Sequence, residues 1–323
     1  MRRNALTLVE VLVVLIVIGV IICLVLPAIQ ASRETGGGRQ CSNQVRQLLL
    51  GCWYYESAVQ RFPLAMSGKM ASDKIDTQGP SPMVGADGYS FLVPLLSYIE
   101  ETALADEIYA ASNDLSEPIN SSNFAASEGH LFDRPLEVAL CPNFPSEEYA
   151  LGDYGPVKPQ ASHYHAMVAG CAKDTDQTFA DVDPRTGGVL VTKQAAAKGM
   201  KMMDVTDGTS QTLLISESRA EVWTAWFSGA SVSTIAFSPQ VASCSDFLDS
   251  TKSVADIPLG LNYGSSDETK SFWIRDNEKR DWGPSSAHPG GAVMSGFADG
   301  HVKPLDNSIS ARVYFQLSTR GGE

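Results

Sequence analysis

Apolar and polar positions fall into three textures along the 323 residues. The first is a run of sixteen uncharged, mostly branched apolar positions from Val11 to Leu26, entered through Arg2-Arg3-Asn4-Ala5-Leu6-Thr7-Leu8-Val9-Glu10. Counted from Leu6 the segment has 21 residues. As a helix at about 1.5 Å per residue it reaches roughly 30 Å, the thickness of a bilayer's hydrocarbon layer. It predicts one transmembrane helix over residues 6–29. Next comes Gly36-Gly37-Gly38. Three glycines in a helix interior cost roughly 3 kcal/mol relative to alanine, so residues 30–39 read as a Gly-rich break, whether bend or flexible tether.

In the second texture Val45, Leu48, Leu49, Cys52 and Trp53 recur at the i, i+3, i+4, i+7, i+8 spacing of an amphipathic helix with one packed face. A second helix is predicted from about Phe91 to Ala111, with Pro94 in its first turn and Leu95, Tyr98, Ile99, Ala103, Leu104 and Ile108 on its apolar side. From about Leu136 the third texture sets in, short apolar stretches separated by Gly, Asp, Pro and Ser, which reads as β-structure. Asp207-Gly208 before Thr212–Ile215, and Asp299-Gly300 between Val293–Ala298 and His301–Leu305, read as hairpin turns. Asp87-Gly88 introduces the second helix. With no internal repeat and no long low-complexity linker, residues 40–323 read as one α+β domain on an antiparallel sheet.

Charge and cysteines narrow the setting. The formal charge is −13, and no basic or aromatic-interleaved basic stripe is present, so nucleic-acid binding lacks its electrostatic footprint. Acidity suits an exported domain, or one that collects divalent cations. Outside the apolar run stand Cys41, Cys52, Cys141, Cys171 and Cys244, which in an oxidising compartment allow two disulfides and one free thiol. On one helix Cys41 and Cys52 stand about 16 Å apart, too far to pair with each other.

Glu10 is the anomaly, because a carboxylate at the mouth of a membrane helix costs on the order of 2 to 3 kcal/mol unless it snorkels or finds a partner. A secretory signal peptide lacks small residues at the paired exit spacing in Ala28-Ile29-Gln30-Ala31, and a plain signal anchor leaves Glu10 unexplained. Ala5-Leu6-Thr7-Leu8-Val9-Glu10 ahead of the apolar run resembles the leader of type IV prepilins and type II secretion pseudopilins, with Ala5 and Leu6 where Gly and Phe are usual. The resemblance implies cleavage by a prepilin peptidase between Ala5 and Leu6, so that residues 1–5 are leader. It further implies N-methylation of Leu6, and a filament contact in which Glu10 meets the ammonium of a neighbouring pilin or pseudopilin subunit. Such a pair is worth far more in a low-dielectric helix bundle than in water.

The similarity extends along the chain. Cys41-Ser42-Asn43-Gln44-Val45-Arg46-Gln47, Cys141-Pro142, Asp204 to Ile215, His288-Pro289-Gly290-Gly291 leading to Phe297-Ala298-Asp299-Gly300-His301-Val302, and Leu317 to Glu323 are similar to a large bacterial family of pilin-like proteins of unknown function. That family joins a prepilin segment to a C-terminal His-x9-Asp-Gly segment, here His288, Asp299 and Gly300. This chain has ten residues between His288 and Asp299, one more than the pattern. In a strand an extra residue requires a bulge, expected at Gly296. The implied protein is a pilin-like or pseudopilin-like structural subunit: a single-pass protein of the inner (cell) membrane, N-terminus cytoplasmic, its pilin-like domain periplasmic or extracellular. Its implied partners are prepilin peptidase, other subunits and membrane lipid. The alternative is a membrane-anchored extracytoplasmic module binding a ligand or cation, with the pilin signal serving only export.

Enzyme signatures are missing: no Gly-x-Ser-x-Gly, His-Glu-x-x-His, P-loop or Gly-x-Gly-x-x-Gly. No catalytic residue and no cofactor is expected. His163 and His165 would share one side of a strand, and His288, Asp299 and His301 offer metal donors that more commonly serve backbone groups or a solvated turn. Asp204 and Asp207 offer oxygen ligands for Ca²⁺, or an Asx-type turn that needs no ion. Trp223, Trp226, Trp273 and Trp282 suit core packing or a contact surface.

Overall fold

The computed structural model describes residues 8–68, 88–111, 131–144, 149–150, 158–171, 183, 185–192, 196–218, 225–229, 232–237, 244–254, 257, 261 and 284–321. Ala5, Leu6, Asp87, Trp223, Trp273 and Trp282 lie outside them. Helix α1 (Leu8–Val59) is a single element of 52 residues, about 78 Å long. Its apolar part, Leu8–Leu26, has no buried surface and is long enough to cross a membrane or to serve as a signal sequence.

The break expected at Gly36-Gly37-Gly38 does not occur, since α1 runs through it. Tertiary packing overrides propensity here. A side chain at Gly37 would overlap the carboxamide of Asn143, so the glycine lets the domain approach the helix. Further on, Val45, Leu48, Leu49 and Cys52 are buried as their spacing predicts, and half-exposed Trp53 donates its indole N–H to Ala298 O at 3.0 Å. Gln60, in the left-handed region at φ 60°, ends the helix.

The predicted second helix is split. Helix α2 (Leu92–Leu95) tightens into a 3₁₀ turn over Leu96–Tyr98, the chain turns at Glu100 with φ 70°, and α3 (Thr102–Ala111) follows. Its apolar positions Leu95, Leu104 and Ile108 are buried nonetheless.

Five strands, β1 (Tyr164–Cys171), β2 (Leu213–Glu217), β3 (Ser233–Phe237), β4 (Val293–Phe297) and β5 (Val302–Leu305), form one sheet in the order β3-β1-β2-β4-β5. The sheet is mixed rather than antiparallel, because β3 lies beside β1 and runs parallel to it, while the other pairs are antiparallel. Strands β2 and β3 follow one another in the chain but lie on either side of β1, so no tight hairpin joins them. Asp299-Gly300 does make the β4–β5 hairpin, with Gly300 at φ 88°. Asp207-Gly208 does not make one, since a 3₁₀ turn over Met202–Asp204, not a strand, precedes it. The bulge lies opposite the expected place. The β4–β5 register is regular through Gly296, and the shift falls in β2 between Leu213 and Ile215. Gly296 serves packing, as a Cβ there would come within 2.8 Å of Leu49 and 2.9 Å of Val45 on α1.

Both faces of the sheet are covered, which is why β1, β2 and β3 are buried at every position. Residues of α1, α2 and α3 pack with Tyr164, Ala166, Val168, Leu214 and Ile215 in one core. Helices α4 (Cys244–Leu248) and α5 (Ala311–Leu317) pack with Met167, Phe237, Val293 and Phe297 in the other. Disulfides Cys41–Cys141 and Cys171–Cys244 join α1 to the segment after Ala139 and β1 to α4. Cys52 keeps a buried thiol, pushed up to about 12 by desolvation, and the other free cysteine, Cys23, is exposed on α1. The cysteines outside the apolar run thus form the two bridges and one thiol that their number allows.

Candidate functional site

Where α1 first meets the domain, four segments distant in sequence converge on one buried polar point. Helix α1 brings Cys41, the segment after Ala139 brings Cys141 and Asn143, the end of β2 brings Glu217, and the approach to β4 brings His288. Cys41, Cys141, Glu217 and His288 are all buried, Glu217 completely, and their ligand atoms lie within 4.8 Å of one another. His288 Nε2 stands 3.3 Å from Glu217 Oε1 and 3.7 Å from Cys141 Sγ, and His288 Nδ1 is 3.0 Å from Asn143 Nδ2. Its ring also lies 3.7 Å from where a Gly38 side chain would begin, so Gly37 and Gly38 both make room for this point.

Glu217 is held in two ways. Met294 N–H donates to Oε2 at 3.2 Å, and Ser285 N–H donates to the Glu217 carbonyl at 3.0 Å. Among the described residues Oε1 has no hydrogen-bond partner of suitable geometry, and it faces His288. A buried carboxylate requires compensation, which Met294 N–H and the His288 ring supply here. Across the sheet Tyr164 pairs with Glu217. Burial first, and the nearby Glu217 charge second, hold the Tyr164 phenol well above its ordinary range. It therefore stays a donor, giving its proton to Gln44 Oε1 at 2.8 Å, while Gln44 Nε2 donates to Glu137 O at 2.9 Å.

His163 and His165 flank Tyr164 but serve backbone groups. Cys141 N–H donates to His163 Nδ1 at 2.9 Å, and His165 Nε2 pairs with Ser162 O at 3.1 Å. Desolvation lowers both imidazoles to about 4, so they are neutral at pH 7.

The C-terminal motif residues separate. His288 belongs to the buried point, whereas Asp299 and Gly300 sit beyond the far end of β4, about 17 Å of strand away. There Asp299 Oδ1 accepts from His301 N–H at 3.1 Å and faces His301 Nδ1 at 2.5 Å in an exposed turn. The turn is clipped to the loop before β2 by Asp299 N–H to Thr209 O, 3.1 Å. His288, Asp299 and His301 therefore do not form a common ligand set. Asp204 accepts from Lys201 N–H at 2.8 Å in a capping box, and Asp207 N–H donates to Arg320 O at 3.3 Å. Arg320, buried in the C-terminal segment, also donates from Nη1 to Gly188 O at 2.7 Å. Trp226 is in the core.

Glu217, Asn143 and Gln44 carry the polar contacts, and of these sequence reasoning touches only Gln44, as part of the segment Cys41 to Gln47. Glu217 had a signal, a carboxylate directly after the buried run Leu213-Leu214-Ile215-Ser216. Asn143 had only its place two residues after Cys141.

Among known proteins, the family model described as "Protein of unknown function (DUF1559)" matches residues 30–312. No curated protein and no solved structure matches the chain.

Proposed function

Because the chain belongs to this family of proteins of unknown function, typically pilin-like with a prepilin-type signal, we propose that it is a pilin-like structural subunit rather than an enzyme. Prepilin peptidase removes residues 1–5, and the mature protein anchors or assembles through α1. The observation that carries this reading is the single 52-residue helix, apolar and uncovered over Leu8–Leu26 and packed on the sheet through Val45, Leu48 and Leu49. Such a stem presents an apolar face to lipid or to other stems while its C-terminal half orients the domain. Glu10, in its first turn, then sets axial register by pairing with the N-terminal ammonium of a neighbouring subunit. Two disulfides support a domain held outside the cytoplasm, with the N-terminus inside.

Mass spectrometry of the mature N-terminus tests processing: a methylated Leu6 is expected, and an intact Met1 or cleavage beyond Ala31 would refute it. Glu10→Ala tests assembly, with expected loss of subunit association at normal membrane insertion. Unchanged association would instead favour an anchored module that binds a ligand or cation.

A further inference from the structure

The buried point beneath α1 has the composition and spacing of a metal centre. We propose that the dithiol form of this chain, with Cys41 and Cys141 not yet joined, binds one Zn²⁺ through Cys41, Cys141, Glu217 and His288.

Geometry carries the assignment. Tetrahedral zinc, with bonds of about 2.3 Å to sulfur and about 2.1 Å to nitrogen and oxygen, has S–N edges of about 3.6 Å and N–O edges of about 3.4 Å. The corresponding separations here are 3.7 Å from Cys141 Sγ to His288 Nε2 and 3.3 Å from Nε2 to Glu217 Oε1. Two zinc-bound thiolates stand about 3.8 Å apart, a spacing that side-chain rotation supplies from Cα atoms 5.1 Å apart.

The surroundings are those of a ligand set. Met294 N–H occupies Glu217 Oε2 and leaves Oε1, buried and without a hydrogen-bond partner among the described residues, turned toward the point where the ion would sit. A zinc-ligating histidine gives its other ring N–H to a fixed acceptor. Asn143 stands 3.0 Å from Nδ1, and a flip of its carboxamide presents the oxygen there. Two thiolates, an imidazole and one carboxylate favour zinc over magnesium or calcium, and four protein ligands in a buried site leave no open position, the pattern of a structural centre.

Binding forms two S–Zn bonds and releases the two thiol protons to solvent. Glu217 binds as its carboxylate and His288 through an unprotonated Nε2, and no electron is transferred. The disulfide and the ion exclude each other, because sulfurs bonded together offer no thiolate.

The test uses the full-length chain in detergent, reduced with a phosphine, loaded with Zn²⁺ or Co²⁺, freed of excess metal, and compared with the oxidised chain. One ion per reduced chain and none per oxidised chain are expected, with Co²⁺ giving thiolate charge-transfer and tetrahedral ligand-field bands. His288→Ala and Glu217→Gln should each weaken Zn²⁺ binding at least about tenfold, the loss that removal of even an outer partner causes. Reduction also opens Cys171–Cys244, so the position is read on the unmutated chain by alkylation mapped by mass spectrometry, which keeps the test decisive where a variant fails to fold. Zn²⁺ should slow alkylation of Cys41 and Cys141 and not of Cys171 and Cys244. No zinc retained by the reduced chain, protection confined to other cysteines, or unchanged affinity in both variants would overturn the proposal.

Discussion

Alanine at Gly36 and alanine at Gly37 should move stability in opposite directions. In a helix interior alanine is more favourable than glycine by about 0.8 to 1 kcal/mol. Gly36 is exposed, and a Cβ there meets nothing within 4 Å among the described residues, so Gly36→Ala should stabilise by nearly the whole amount. Gly37→Ala makes the same local gain but drives its methyl into Asn143, whose carboxamide holds His288 at 3.0 Å. Displacing that carboxamide strands a buried ring nitrogen, at about 1 to 3 kcal/mol, and any remaining overlap adds a similar amount. The expected net loss is about 1 to 5 kcal/mol, which separates the two variants by roughly 2 to 6 kcal/mol. Urea unfolding of the oxidised full-length chain in detergent, followed by tryptophan fluorescence, measures the midpoint shifts. Equal shifts of the same sign would refute the packed-helix account, because a flexible break at residues 30–39 would treat both positions alike.

Three further outcomes follow from other parts of the molecule. His163 and His165 have folded-state values near 4 against 6.5 when unfolded; the unfolded chain therefore binds more protons between those values, and stability present above pH 6.5 is lost as pH falls toward 4, on the order of 3 kcal/mol for each if independent. The check is the pH dependence of unfolding in His165→Gln, which should be flatter than in the parent over that window; an unchanged slope would contradict it. Arg320→Ala should cost about 2 kcal/mol by removing a buried charged donor from Gly188 O, and hydrogen exchange should rise at residues 185–192 and 204–208, with uniform exchange elsewhere. Cys52, its thiol held near 12 in the core, should resist iodoacetamide until the chain unfolds, and labelling at the rate of a surface thiol would contradict its burial.

The residues that declared themselves in the sequence are those whose role is local. The apolar run of Val11–Leu26, the buried stripe Val45-Leu48-Leu49-Cys52 and the Asp299-Gly300 hairpin each follow from periodicity or turn chemistry within a few residues. What stayed hidden depends on partners far away. Gly36-Gly37-Gly38 read as a break because propensity counts only the helix, whereas Asn143 and His288 decide what fits against it. The parallel pairing of β1 with β3, and the bulge in β2 rather than at Gly296, depend on paired positions 66 to 84 residues apart, a separation that alternation within one strand does not encode. His288 was singled out by motif, but its neighbours Glu217 and Asn143 emerge only once four segments meet.

That convergence bears on how the stem and the domain act together. Cys41 is bonded to Cys141, Val45 and Leu49 sit against Gly296, and Trp53 donates to Ala298, three attachments spread over about 18 Å of α1. A helix fixed at one point can pivot; one fixed at three along its length cannot turn without moving β4. Under the proposed assembly, the orientation of each domain is then set by how the stems pack, and any change in stem packing reaches the sheet as a rigid displacement. The motif segments around Cys41, Cys141 and His288 would serve this coupling more directly than any chemistry at the surface. On that reasoning the Cys41–Cys141 bond, which closes the first of the three attachments, matters more to domain orientation than Cys171–Cys244, which joins β1 to α4 on the face away from the stem.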